Sequence, residues 1–270
     1  MTEAKEIPMS PEEQKAFLGV VKRTKALVSA ADRFVFEVAS PPRAGSPMAE
    51  AHGRHQRDAF DIAGMLLFAA QDFLRTFVIV GESRSIPSFG LYPLLRSAAE
   101  ATVRASYLLA PQLSHSERVA RALNERLDNL LEQGKMILDE NHMRQRVASL
   151  EARASTLGIE VRRSRRGEVD AFGEPRRGMV AHFDSYLEGG AEVYRILSAY
   201  AHSMQWMLLR RSNAQPADET GVSLVSTAID PKLLTSLTDA VLNTFDVAVG
   251  NWVVLAGQPY EVWALAKQGA

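Results

Sequence analysis

Cysteine is absent from this 270-residue chain. That excludes a disulfide framework and any thiolate metal site, and it fits a reducing compartment. Net charge is nearly absent too: 31 basic residues against 32 acidic ones leave −1, so no whole-molecule field gathers nucleic acid. Lysine is scarce, seven of those 31, so local positive charge rests on arginine. There is no P-loop, no G-x-G-x-x-G after a strand, no H-E-x-x-H and no G-x-S-x-G. These absences argue against nucleotide-hydrolysing and dinucleotide-dependent enzymes, and no cofactor is expected. The opening residues, MTEAKEIPMS, are polar and lack the apolar stretch of a secretion signal, so a cytoplasmic location is expected. The longest apolar run, residues 60–80, contains Asp61, Gln71, Asp72 and Arg75. Such residues are costly in lipid, so the run reads as a buried helix and no membrane partner is expected.

What the chain does have is helical periodicity. Ser10-Pro11-Glu12-Glu13 combines an N-cap, a proline at the first helical position and a capping-box glutamate. Phe17, Val20, Val21, Leu27, Val28 and Ala31 then recur on one helical face. Ser114 and Glu117 form a second capping box, and Asp230-Pro231 a third start signal. The spacing predicts helices over 11–38, 59–80, 91–110, 116–138 and 191–207, with Val119, Leu123, Leu127, Leu130, Leu131 and Ile137 or Leu138 as the stripe of the fourth. A further helical segment carries Met143, Val147, Leu150, Ala154 and Leu157. A helix or helix pair is expected from about 180 to 210, kinked at Gly189-Gly190, and a short strand within 221–229. The fold class is all-α: a single helical domain over 1–270 with long antiparallel helices, at most one short strand or hairpin, and a helical extension at 230–268. Residues 158–178, rich in glycine and arginine, read as an exposed loop and as the most mobile internal segment.

Chemistry concentrates in the segment Tyr194-Arg-Ile-Leu-Ser-Ala-Tyr-Ala-His202. Arg195 and His202, seven residues apart, share nearly one helix face at an axial separation of about 10 Å. Ser198 lies between them. A histidine beside an arginine can cleave RNA without metal: the imidazole handles the proton and the guanidinium stabilises phosphate charge. The plainer reading is a structural histidine paired with a carboxylate or a carbonyl. Upstream, Arg96, Glu100 and Arg104 form a ridge at i, i+4 and i+8. It reads either as a solvated ion-pair ladder or with Glu100 turned inward onto His202 or Arg195. Arg162, Arg163, Arg165 and Arg166 form a cluster that could grip phosphates, against the reading of a merely exposed loop. His52, His55, Asp58 and Asp61 recur every three residues, but no second cluster matches them, so no metal is expected.

The Arg-x6-His segment on a late helix of an all-α chain, with RSAAEATVRASYLL upstream, resembles the HEPN superfamily. That resemblance implies a helical bundle, often dimeric, of a kind found among toxin and phage-defence ribonucleases. It implies a catalytic role for Arg195 and His202; the reading of the residues themselves adds Glu100 as a candidate third member, with Ser198, Tyr194 and Arg96 in support. RNA and a second copy of the chain are the partners it implies. The alternative is a non-enzymatic helical protein that binds a partner or a ligand.

Overall fold

A computed structural model describes residues 9–37, 41–53, 57–83, 86–136, 139–208, 210, 212–214 and 225–268. Its helices in chain order are α1 (Pro11–Glu37), α2 (Pro47–Gly53), α3 (Asp58–Gly81), α4 (Leu91–Leu109), α5 (His115–Gly134) and α6 (Glu140–Thr156). After β1 (Val161–Arg163) and β2 (Val169–Phe172) come α7 (Met179–Tyr186), α8 (Gly190–Ala201) and α9 (Gln205–Leu208). The chain ends with β3 (Ser212–Ala214), β4 (Val225–Thr227), α10 (Pro231–Leu255) and α11 (Tyr260–Gln268). The all-α class holds. Beside the β1–β2 hairpin there is a second antiparallel pair, β3–β4, and β4 falls inside the strand segment expected at 221–229.

Local chemistry explains where the helices begin. Ser10 Oγ accepts from Glu13 N while Glu13 Oε2 accepts from Ser10 N, and Ser114 with Glu117 repeats the device at α5. Asp230 caps α10 through Leu233 N, with Pro231 following. The C-terminal residues expected for the fourth helix, Ile137 and Leu138, lie outside the described residues, and α5 ends at Gly134.

Helix α4 is the axis of the core. It packs on α3, α10, α8, α7 and α5, and Ala98, Ala99, Ala101 and Ala105 are buried, letting neighbouring backbones come close. Helix α3 is long and apolar enough to cross a membrane by length and composition. Here it packs against α4, α1 and α10, and its polar residues are partnered. Gln71 Nε2 donates to Asp32 and to the Val28 carbonyl, Arg75 pairs with Asp32 and Asp72, and Asp61 with Arg57. Trp263 is fully buried and donates to Asp246 Oδ1 at 2.6 Å, locking α11 onto α10.

The expected mobile loop at 158–178 is instead a docked hairpin. Phe172 and Ala171 are fully buried, and Phe172 with Ile159 joins Val119, Leu123, Leu127 and Ala154 in a second, smaller core. Asn124 of α5 serves as a partner strand. Its Oδ1 accepts from Phe172 N at 2.8 Å, and its Nδ2 donates to the carbonyls of Phe172 and Glu174. Gly167, at φ 80°, makes the turn. Of the hairpin's arginines, only Arg165 and Arg166 at the tip have side chains with no described partner, so they are the expected first sites of tryptic cleavage. Asn124→Ala leaves three backbone groups without this partner, two of them in buried bonds. It should lower stability by about 2 kcal/mol, less than the sum of three lost bonds because the released hairpin rehydrates. A urea midpoint and a new tryptic cut at Arg176 check this.

Candidate functional site

Helix α8 is positioned by its own first turn. Gly189 and Gly190 both have positive φ, and a Cβ on Gly190 would fall 2.5 Å from Asp184 Oδ1. Only glycine fits there, and Asp184 Oδ1 accepts from Ala191 N, capping the new helix. The expected helix over 191–207 is therefore shorter, ending at Ala201 with His202 as its C-cap. Ser203, at φ 53°, closes the end: its N–H bonds to the Tyr200 carbonyl and that of Met204 to Ala199. This is a Schellman closure with serine where glycine is favoured. Ser203→Gly should raise stability by about 0.5–1 kcal/mol in thermal melts if the strain serves only the fold.

Tyr200 stacks on Tyr92 of α4, with ring centroids 3.6 Å apart and planes 7° from parallel. Together with buried Leu197 and Val193 it presses α8 onto α4. The opposite edge of α8 then meets the arginine–glutamate ridge. Arg96 Nε donates to Glu100 Oε1 at 2.8 Å and Arg96 Nη1 donates to His202 Nε2 at 3.0 Å. Its guanidinium carbon lies 5.7 Å from the Tyr194 ring centre, and Tyr194 packs edge-on against Phe183. The α4 partner of His202 is thus Arg96 and not Glu100, which acts one step back by orienting Arg96. An arginine cannot accept, so this contact assigns the lone pair to Nε2 and the proton to Nδ1.

His202 and Arg195 are both solvent-exposed, and Arg195 pairs with no described residue. Ser198 is half-buried between them and gives its carbonyl to His202 N. Just beyond, Met204 and Trp206 expose 48% and 60% of their surface. The exposed imidazole of His202 therefore sits against the Arg96 guanidinium, with Arg195, Met204 and Trp206 exposed nearby in the chain. Arg104, the third member of the ridge, turns to α5 and pairs with Glu125.

Below the ridge lies a buried polar node that sequence reasoning missed. Tyr107 OH donates to Glu174 Oε1 at 2.8 Å, and Arg121 Nε lies 2.7 Å from the same oxygen, too poorly aligned for a hydrogen bond. Arg121 Nη1 donates to the Tyr107 carbonyl, and Arg118 donates to the carbonyls of Leu108 and Ala110, so α5 caps the end of α4 with cations. His182 sits edge-on to Tyr107 with Nδ1 unpartnered. Burial foremost, then Arg104, Arg177 and Arg121, lowers its pKa to about 4. Burial likewise pushes the Glu125 carboxyl up, against the pull of Arg104. A signal was present: Arg118, Arg121 and Glu125 fall at i, i+3 and i+7, beside alanines 120 and 122.

The remaining candidates are dispersed. Arg163 is tied to Glu151 and the Gly167 carbonyl, and Arg162 stands 3.8 Å from Glu160. With Arg165 and Arg166 they surround an exposed hairpin turn, with no converging site. Asp58 is held by Arg126 and Arg153, Asp61 by Arg57, and His52 is exposed; His55 lies outside the described residues. Among the described residues no three metal-ligating side chains converge. No family model matches the chain, and neither a curated protein nor a solved structure is significantly similar to it.

Proposed function

We propose that the α4–α8 face is a metal-independent ribonuclease site acting on single-stranded RNA, in a HEPN-like helical fold. The observation that carries this reading is the exposed His202, held through its Nε2 by Arg96, with Arg195 exposed two turns earlier in the chain. As the phosphate binds, Arg96 turns from Nε2 to it, and the freed His202 Nε2 takes the proton of a 2′-hydroxyl; O2′ then attacks phosphorus, the P–O5′ bond breaks, and the proton passes from the imidazole to O5′. Arg96 and Arg195 hold the phosphate and the charge that builds on it. Glu100 is a positioning residue. Trp206 offers a stacking surface to an unpaired base, a sequence-tolerant contact suited to single strands.

Helical side chains lean toward the N-terminus, so Arg195 reaches away from His202 of its own chain. A two-fold pair of α8 helices brings the arginine of one copy to the histidine of the other, and the site is proposed to work as such a dimer. Mixing Arg195→Ala with His202→Ala chains should then restore part of the cleavage that neither shows alone. No restoration would remove the shared-site element. The site itself is tested by incubating single-stranded RNA with the purified protein in EDTA. Shortened RNA is expected; intact RNA contradicts the proposal.

A further inference from the structure

A second cleft opens between α3, α5 and α6, with a volume of about 510 Å³. Its floor is apolar: Ile62, Leu66, Leu130 and Leu150, with Met65 at 65% exposure on the lip. Its polar wall holds three arginines, Arg104, Arg126 and Arg146, with Asn129, Gln133 and Ser149. No aspartate or glutamate lines it.

The carboxylates behind this wall do not balance it. Arg104 uses Nε and Nη2 on the buried Glu125. Arg126 uses Nε on Asp58 Oδ2, an oxygen that also takes Arg153. One aspartate therefore serves two arginines. Arg146 has no carboxylate partner among the described residues; its Nη1 donates to the Gln133 side-chain oxygen. That leaves Arg104 Nη1, both η nitrogens of Arg126, and Nε and Nη2 of Arg146 without a described acceptor. Guanidinium groups beside apolar, low-dielectric walls attract anions more strongly than the same groups on an open surface. The volume falls within the range of small-molecule sites.

We propose that this cleft binds an amphipathic organic anion, its apolar body on Leu66, Leu130 and Leu150 and its anionic head on Arg126 and Arg146. The site is separate from the α4–α8 face and stands or falls independently of it. A free phosphate meets only half of the wall, and a neutral lipid leaves the guanidinium groups without an acceptor.

The full chain titrated with 8-anilinonaphthalene-1-sulfonate, a naphthyl body carrying one sulfonate, tests the assignment. Saturable binding at one site is expected. Arg146→Glu should weaken it roughly tenfold or more, the size of losing one charge-assisted contact and gaining a repulsion. Because Arg146 is exposed, the urea midpoint of that variant should stay unchanged, which separates lost binding from lost folding. Raising salt from about 0.05 to about 0.5 M should also weaken binding, as screening of an open ion contact requires. Competition then identifies the ligand. Displacement by decanoate but not by decanol marks an aliphatic carboxylate, and displacement by 1-naphthyl phosphate but not by 1-naphthol an aryl phosphate; either supports the site. Absence of saturable binding, unaltered binding by Arg146→Glu, or displacement by decanol as effective as by decanoate overturns it.

Discussion

His202→Ala should lower the rate of RNA cleavage by about 10²–10⁴-fold, the contribution of a positioned proton-transfer group. Folding should be untouched, because the imidazole is solvent-exposed and caps nothing with its side chain. The backbone of residue 202 makes the helix-end bond to Ser198, and alanine keeps it. Arg96→Ala should act through two routes: it removes a phosphate-binding cation and frees the imidazole that it holds. Arg96→Lys keeps the charge but loses the geometry that reaches Glu100 and His202 together, so it should recover only part of the rate. Glu100→Gln, a change one step further from the phosphate, should cost least and alter the pH profile more than the substrate affinity. Equal losses in all four variants would mark a folding defect instead of a site; thermal melts run in parallel separate the two.

Acidification from pH 7 to pH 4 should cost the protein about 3 kcal/mol through His182 alone, which a His182→Phe variant should not lose. The ring is buried and faces cations from every side: Arg104 of α4, Arg121 of α5 and Arg177 just before α7. Tyr107, bonded to Glu174, closes the pocket. Its folded-state pKa is lowered from 6.5 to about 4. The unfolded chain therefore takes up the proton first as the pH falls. Stability from this group is fully present above pH 6.5 and is lost as the pH falls through about 4. Glu125 works the other way, since its raised value lets the folded state bind a proton first. Phenylalanine keeps the edge contact to Tyr107 and cannot charge. The difference in slope of urea stability against pH, wild type minus variant, thus isolates the histidine. Identical slopes would mean that His182 is hydrated or charged in the folded protein.

These two sites differ in how far the sequence revealed them. The helices that start at Ser10, Ser114 and Asp230 were legible because capping is local chemistry, written in neighbouring residues. The apolar face of α3 and the pairing of His202 with the arginine–glutamate ridge of α4 were legible as periodicities. The hairpin at 158–178 was not. Its anchors, Ile159 and Phe172, are too few to give a strand signal among six arginines, and the partner that fixes Phe172 is Asn124, about 50 residues earlier. The early end of α8 was also hidden, because it depends on Ser203 taking a left-handed conformation that glycine usually marks. The burial of Arg118, Arg121 and Glu125 was not legible, since burial of charge is decided by what packs opposite and not by the helix that carries it.

The most direct test of the proposed chemistry is cleavage of a single-stranded RNA containing one 2′-deoxynucleotide, in excess EDTA, with protein over substrate. Attack by the 2′-oxygen, assisted by His202, predicts cuts along the strand that leave 2′,3′-cyclic phosphate ends and spare the linkage following the deoxynucleotide. Cleavage at that linkage, or cleavage that EDTA abolishes, would contradict the account.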